Sequence, residues 1–434
     1  MHLLFENVIK NLVLLWTSKY KELDEGSGEY EFPKGVWEAI GAATAASGSD
    51  IPGIFAARPP DVSADKIAFT ADTWSFWLLY IGPVVLHNRF RRPIYYNHFM
   101  KLSRLVHLCL QFEYTQKDIQ DIRLGFSSWV EEYEKLYYQN LPSRLSACPL
   151  TIHGLLHIAD SIEQIAPVWA SWAFPTERFC GQLQPAIKSR RYPFANIDNY
   201  ISANAQLSHI KILYGLEDDL NLKRKTTLGT HFAHPDYPTC ILLPPRRPAS
   251  TVTQFWTDKI CVALATRYNT SIQTIRKYLS TDNIERWGKV RRLNGGDSMN
   301  ASSLVPIAED RRDATFIRYE LLVDRNARSR KKRSEFTLQA FYGQLQDIFV
   351  VTLKSTLVLG IDIDTTLILA GIQRAEMKNF YSTGLFSSTK MGLSEVVDMT
   401  SVQCLIGRIK AGTHGWVVLD RTGVQQWAMH VTDT

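Results

Sequence analysis

Several absences narrow this chain before any motif is weighed. Six cysteines in 434 residues (Cys109, Cys148, Cys180, Cys240, Cys261 and Cys404) are scattered with no C-x-x-C pair. That argues against a zinc ribbon and a disulfide framework and fits a reducing compartment. No Gly-rich phosphate loop, G-x-S-x-G or H-E-x-x-H occurs, which sets aside the commonest nucleotide-hydrolase, serine-hydrolase and zinc-protease signatures. Long apolar runs are missing too: Trp74 to Leu86 is too short to span a bilayer and carries Gly82-Pro83, so a soluble protein without membrane contact is expected. The apolar start, Met1 to Trp16, is broken at helical spacing by Glu6, Asn7, Lys10 and Asn11, with no basic region before it and no small-residue cleavage site after it. It reads as an amphipathic helix, not a signal peptide. Nor does one sign of charge dominate: 49 Lys and Arg against 43 Asp and Glu give a net +6, which permits a nucleic-acid partner without demanding one.

What is present is enough apolar material for a sizeable core. With 45% hydrophobic and 21% charged residues the chain is globular, and its length predicts two or three domains, since single cores stop growing near roughly 250 residues. Helical periodicity covers residues 1–220, with candidates at His2 to Lys21, Lys34 to Ser47, Thr73 to Leu86, Tyr95 to Leu110, Thr115 to Tyr138, Thr151 to Glu163, Pro175 to Lys188 and Asn196 to Tyr214. Thr115 and Asp72 read as start signals, and Trp74, Trp77, Leu78 and Ile81 as a core stripe. Residues 221–250, with Pro235, Pro238, Pro244, Pro245 and Pro248, read as a linker that sustains neither helix nor central strand. A trihelical, helix-turn-helix-like unit is expected over 251–293 and a basic linker over 294–335. Residues 336–434, rich in Val, Ile, Thr and aromatics, read as a small antiparallel β barrel or sandwich. The fold class is therefore α+β, mainly α.

Four groups of residues carry chemistry. His153, His157 and Asp160 fall at i, i+4, i+7 on one helix face, a geometry able to hold one metal ion, although two histidines without the Glu of H-E-x-x-H also serve as hydrogen-bonded packing residues. Lys188, Arg190 and Arg191, interleaved with Tyr192 and Phe194, suit a phosphate backbone or a solvated surface run. In CVALATRYNTSIQTIRKYL, small Ala in a first helix, Asn269 at a left-handed turn position and a second helix opened by Ser271 follow a helix-turn-helix pattern. Its outward residues would be Gln273, Thr274, Arg276 and Lys277, although such units also serve as packing modules. Lys289, Arg291 and Arg292, then Arg311 and Arg312, then Arg328 to Arg333 concentrate positive charge. The last run suits nucleic acid, nuclear localisation or a solvated linker. The β region shows no catalytic constellation.

At Cys148 to Ile197 the chain reads CPLTIHGLLHIADSIEQIAPVWASWAFPTERFCGQLQPAIKSRRYPFANI, with P-x-E-R-F-x-G-x-L (Pro175, Glu177, Arg178, Phe179, Gly181, Leu183) its densest part. This resembles the region downstream of the catalytic core in CACTA-type (En/Spm-like) transposases. Met1-His2 resembles the end of that family's D-x-M-H motif, and WGKVRRLNGGD, EDRRDATFIRYE and FYGQLQDIFVV are similar to the C-terminal ends of fungal members. The resemblance implies an RNase H-like nuclease in which a carboxylate triad holds two Mg²⁺ ions about 4 Å apart. It makes His2 the motif's histidine and Glu177 the candidate for the last carboxylate, with Asp160 and Glu163 close by in sequence. The family's aspartates would lie before Met1, so the resemblance implies a C-terminal portion, truncated at its N-terminus, that does not bind Mg²⁺ productively. Beside this, Glu177 is also what a helix N-terminus wants, a carboxylate in the first turn after Pro175.

Two functions are therefore expected: a nuclear, DNA-binding transposase remnant without catalysis, or a host protein-interaction module made from its helical and β parts. Helices that once packed on an RNase H-like sheet would expose an apolar surface suited to a partner or a second copy.

Overall fold

The computed structural model describes residues 2–21, 23, 28–64, 69–217, 219–220, 231–293, 296–327, 332–381 and 384–421. Helical period decides the first half. A π-helical turn, His2–Val8, runs into α1 (Ile9–Trp16), and the stripe Val8, Leu12 and Leu15 is buried. There follow α2 (Lys34–Ser47), α3 (Ala71–Phe76), α4 (Gly82–Val85), α5 (Pro93–Cys109), α6 (Gln116–Tyr133), α7 (Leu150–His153), α8 (Ile158–Gln164), α9 (Val168–Ser171), α10 (Phe174–Leu183) and α11 (Pro193–Tyr214). Thr115 opens α6 with a capping box completed by Asp118, two backbone donors satisfied reciprocally. Thr70, not Asp72, caps α3; Asp72 lies inside its first turn. Trp74, Trp77, Leu78 and Ile81 are buried together as the stripe predicts. No described helix is long and apolar enough to cross a membrane.

The helical core is aromatic, and its polar tips are paired. The Trp16 indole donates to the Tyr137 hydroxyl at 3.1 Å. His98 stacks on Trp129 at 4.4 Å, and the Trp129 indole donates to the His98 carbonyl at 3.0 Å. The ring of His98 reaches the Trp129 carbonyl through Nε2 at 3.1 Å, while its Nδ1 is buried without a partner. Burial pushes this imidazole down to about 4, and burial lowers His107 as well. Both rings are neutral in the fold, and unfolding lets them take up protons below their ordinary value of about 6.5. The stability His98 lends is therefore complete above about pH 6.5 and lost as pH falls towards 4, on the order of 3 kcal/mol, and His107 acts in the same direction. We expect the urea midpoint to drop between neutral pH and pH 4.5 and His98→Gln to flatten that drop. An equal drop in both proteins would contradict it.

Among the described residues no strand precedes β1 (Cys240–Arg247). After it come α12 (Gln254–Arg267), α13 (Ile272–Tyr278), β2 (Ile284–Arg292), β3 (Ser298–Asn300), β4 (Phe316–Asp324), β5 (Phe336–Leu353), β6 (Thr365–Phe380), β7 (Leu385–Asp398), β8 (Val402–Leu405), β9 (Gly407–Lys410) and β10 (Trp416–Leu419). These form one curled antiparallel sheet in the order β1-β2-β5-β6-β7-β10-β9, with β3 on β2, and β4 between β5 and β8. The fold is α+β.

This sheet is larger than sequence predicts. The region 221–250 carries β1, and Pro244 and Pro245 sit where its register with β2 breaks; an edge strand tolerates residues that cannot donate to a ladder. The region 294–335, expected as a linker, carries β3 and β4, and β4 pairs along its whole length with β5. The region 251–293 holds two α-helices and then β2, not three helices. Trp256, Ile260, Leu264 and Ile275 pack on Phe349, Val351, Leu367 and Leu369 of the sheet, so a β face takes the place of the third helix. The expected small barrel or sandwich over 336–434 is thus part of a single ten-stranded sheet, and residues 422–434 lie outside the described residues. Phe380, Ile409, Val417 and Leu419 join the core of the helical half. Arg408 ties the two halves, pairing with Asp50 at 3.3 Å and Asp313 at 2.7 Å while lying 3.4 Å over the Phe316 ring.

Candidate functional site

His2 and Glu177, at opposite ends of the helical half, meet. The π-helical turn that carries His2 packs against α3 and α7, and Leu3 fills the space beside Gly154. Glu177 projects from the first turn of α10, which also holds Pro175. Nε2 of His2 lies 2.9 Å from Oε1 of Glu177, and its Nδ1 hydrogen-bonds Glu6, four residues on. The hydrogen bond with Glu6, aided by the charge of Glu177, holds this imidazole above its ordinary range. With a carboxylate at each nitrogen the ring is best satisfied as an imidazolium donating twice. All three side chains stand at the surface. Glu6 is the member that sequence reading missed; its i+4 spacing from His2 was the available signal.

The helix face of His153, His157 and Asp160 does not gather. A 3-10 turn, Gly154–His157, interrupts the α-helical spacing between α7 and α8. The two histidines face each other, Nε2 to Nε2, at 3.1 Å. Asp160 turns instead to Arg123 of α6 at 2.9 Å, and Glu163 joins the same guanidinium at 2.7 Å. The expected three-ligand metal site is thereby corrected: a cation on a neighbouring helix takes the carboxylate. Among the described residues no group of three or more His, Cys, Asp or Glu side chains is placed to hold a metal ion. Mg²⁺ wants an octahedron of oxygens. Glu6 and Glu177 face the His2 ring and Asp160 and Glu163 face Arg123, so these four carboxylates, as placed, do not converge on a two-Mg²⁺ centre.

The basic residues divide into three places. Lys188, Arg190 and Arg191 are exposed in the loop before α11. The Arg191 guanidinium lies 5.3 Å from the Tyr192 ring centre, and Phe194 is exposed beside them. The backbone N–H groups of Lys188 and Ser189 donate to Asn196 Oδ1 at 2.8 and 2.9 Å, so residues outside the cluster fix the shape of the loop.

In the α12–α13 pair the turn falls where the sequence puts it: Asn269 has φ +48°, and Ser271 caps α13 by accepting from the Thr274 N–H at 3.0 Å. Gln273 and Lys277 are exposed. The hydroxyl of Thr274 is engaged with Ser271 at 2.8 Å, and Arg276 pairs with Asp258 at 2.8 Å. The third place, β2, splits its trio. Strand alternation puts Lys289 and Arg291 on one face and Arg292 on the other. Most of the run Arg328 to Arg333 lies outside the described residues.

No protein-family model, no curated protein and no solved structure matches this chain.

Proposed function

We propose that the chain is a transposase-derived DNA-binding protein of CACTA type that grips duplex DNA and does not cut it. The observation that carries this is the meeting of His2 and Glu177 at 2.9 Å: two strings far apart in sequence were assigned to one site by resemblance, and their side chains are in contact. On this reading residues 1–220 correspond to the helical insertion and tail of an RNase H-like enzyme, and the α12–α13 pair to a helix-turn-helix element. The nucleus is the proposed compartment. The grip comes from exposed cations beside exposed aromatics at Lys188 to Phe194, joined by Gln273 and Lys277. Strand cleavage is not proposed, because Glu6 and Glu177 are hydrogen-bonded to the His2 ring and, among the described residues, no three His, Cys, Asp or Glu side chains gather to hold a metal ion. The test is fluorescence anisotropy of a labelled duplex titrated at graded salt. Binding should weaken steeply and log-linearly as salt rises, because each neutralised phosphate releases counterions. No binding at low salt would refute it.

A second reading has its own observation. Neither α10 nor α11 contains a buried residue among those described, and α11 runs for 22 residues. Phe179, Tyr200, Ile201, Leu207, Ile212 and Leu213 are all exposed. A helix with apolar groups on all sides is normally covered by something. This favours an interaction module in which α11 meets a second copy of the chain. Sedimentation velocity should then show a dimer or larger species, returned to monomer by Ile212→Asp with Leu213→Asp. A monodisperse wild-type monomer would argue against it.

A further inference from the structure

Between the loop at Pro52 and the outer end of the sheet lies a cavity of about 370 Å³, walled by Pro52, Ile54 and Leu243 and furnished with Lys289, Arg291 and Arg312. The strand pleat builds it. Lys289 and Arg291, two residues apart on β2, share a face. The β3 register sets Asn300 opposite Lys289 and Ser298 opposite Arg291, and β1 sets Leu243 opposite Lys289. Directly opposed residues project on the same side of a sheet, so cations, amide and hydroxyl converge with an apolar wall beside them.

Asn300 supplies the decisive detail. It is only 3% exposed, and its Nδ2 has no hydrogen-bond partner. A buried donor left unpaired costs about 1–3 kcal/mol, and such a group in a native fold calls for an explanation. The charges nearby say what would satisfy it. Lys289 is matched by Glu309 at 2.9 Å, and Arg312 by Asp310 at 3.4 Å. Arg291 has no ion-pair partner among the described residues, so three cations face two carboxylates. The cavity carries a small positive surplus, suited to a single phosphate group. Its volume lies within the usual range for small-ligand pockets, about 300–1,000 Å³, and exceeds what a bare phosphate needs.

We propose that this cavity binds a phosphate ester of nucleotide size, its phosphate held by Asn300 Nδ2 and the Arg291 guanidinium and its organic part set against Pro52, Ile54 and Leu243. The phosphate belongs either to a free mononucleotide or to the 5′ end of a DNA strand. A tetrahedral phosphate can use donors on several sides, which fits an amide, a guanidinium and an ammonium better than a two-oxygen carboxylate does.

The experiment is calorimetric titration of the full chain with dAMP, deoxyadenosine, acetate, and a short single-stranded thymidine oligonucleotide with and without a 5′-phosphate. We expect a phosphorylated ligand to bind while deoxyadenosine and acetate do not. Arg291→Ala, a surface change, should weaken it by about tenfold, the loss of one charge-assisted hydrogen bond, with an unchanged melting temperature. Asn300→Asp, equal in size but repelling phosphate, should abolish it. Preference for the phosphorylated oligonucleotide over its 5′-hydroxyl form assigns the strand end; dAMP binding with no such preference assigns the free nucleotide. Silence from dAMP and both oligonucleotides at millimolar concentration, or full binding by Arg291→Ala, overturns the proposal. Arg291→Ala is the deciding variant should Asn300→Asp fail to fold. Duplex binding through Lys188, Arg190 and Arg191 is independent of this outcome.

Discussion

Replacing Lys188, Arg190 and Arg191 together with alanine should weaken duplex binding on the order of a hundredfold at low salt and flatten the salt dependence, with a slope reduced by about 2.7 for three lost phosphate contacts. All three side chains are exposed. The loop that carries them is pinned through Asn196, outside the substituted set, so the fold should melt at the same temperature. Arg276→Ala should cost much less, because that guanidinium already spends a hydrogen bond on Asp258 at 2.8 Å. Anisotropy titrations at four salt concentrations separate these outcomes: an unchanged slope in the triple variant would remove the cluster from the interface, whatever the affinity at one salt.

The second large effect is on stability. Trp129→Ala should destabilise the protein by about 3–5 kcal/mol, the usual cost of emptying a large aromatic site. That is a sizeable part of a stability of roughly 5–15 kcal/mol. Trp129 is fully buried, and its indole satisfies the His98 carbonyl while its ring stacks on the His98 ring. The substitution therefore leaves a cavity and removes a second hydrogen bond from a carbonyl that lies within helix α5. Leu150→Ala is the control: at 81% exposure it should shift the urea midpoint little, within about 0.5 kcal/mol. Similar midpoints for the two variants would mean that Trp129 does not sit in a packed core.

What could be read from sequence follows how local its cause is. The helices of the first half, the box at Thr115, the left-handed Asn269 and the cap at Ser271 are set by residues within one turn of each other, and they fall where their neighbours dictate. Strand β5, at Phe336–Leu353, is equally plain from its own content of Val, Ile, Thr and aromatics. By contrast β3 is three residues long and exists because β2 lies beside it. Strand β4 carries Arg318 and Glu320 paired to each other at 2.6 Å, with Asp420 3.3 Å from Arg318. Charges that look like linker are neutralised by a neighbour on the same strand and by Asp420, distant in sequence, and strand propensity is largely decided by such surroundings. The candidate sites divide in the same way. His2 with Glu6 is a helical neighbour pair, while Glu177 reaches them only through tertiary packing. Asp160 was lost to Arg123, a competitor on another helix that no periodicity reveals. The cavity around Asn300 needed the register of three strands.

The most direct test mixes the full chain with supercoiled plasmid in Mg²⁺ or Mn²⁺ and divides the sample, running one half as it stands and the other after deproteination. Binding without cutting predicts retarded plasmid in the first half and unchanged supercoiled plasmid in the second. Nicked or linear product that disappears in Glu177→Gln would contradict the account, and so would plasmid that is neither retarded nor cut.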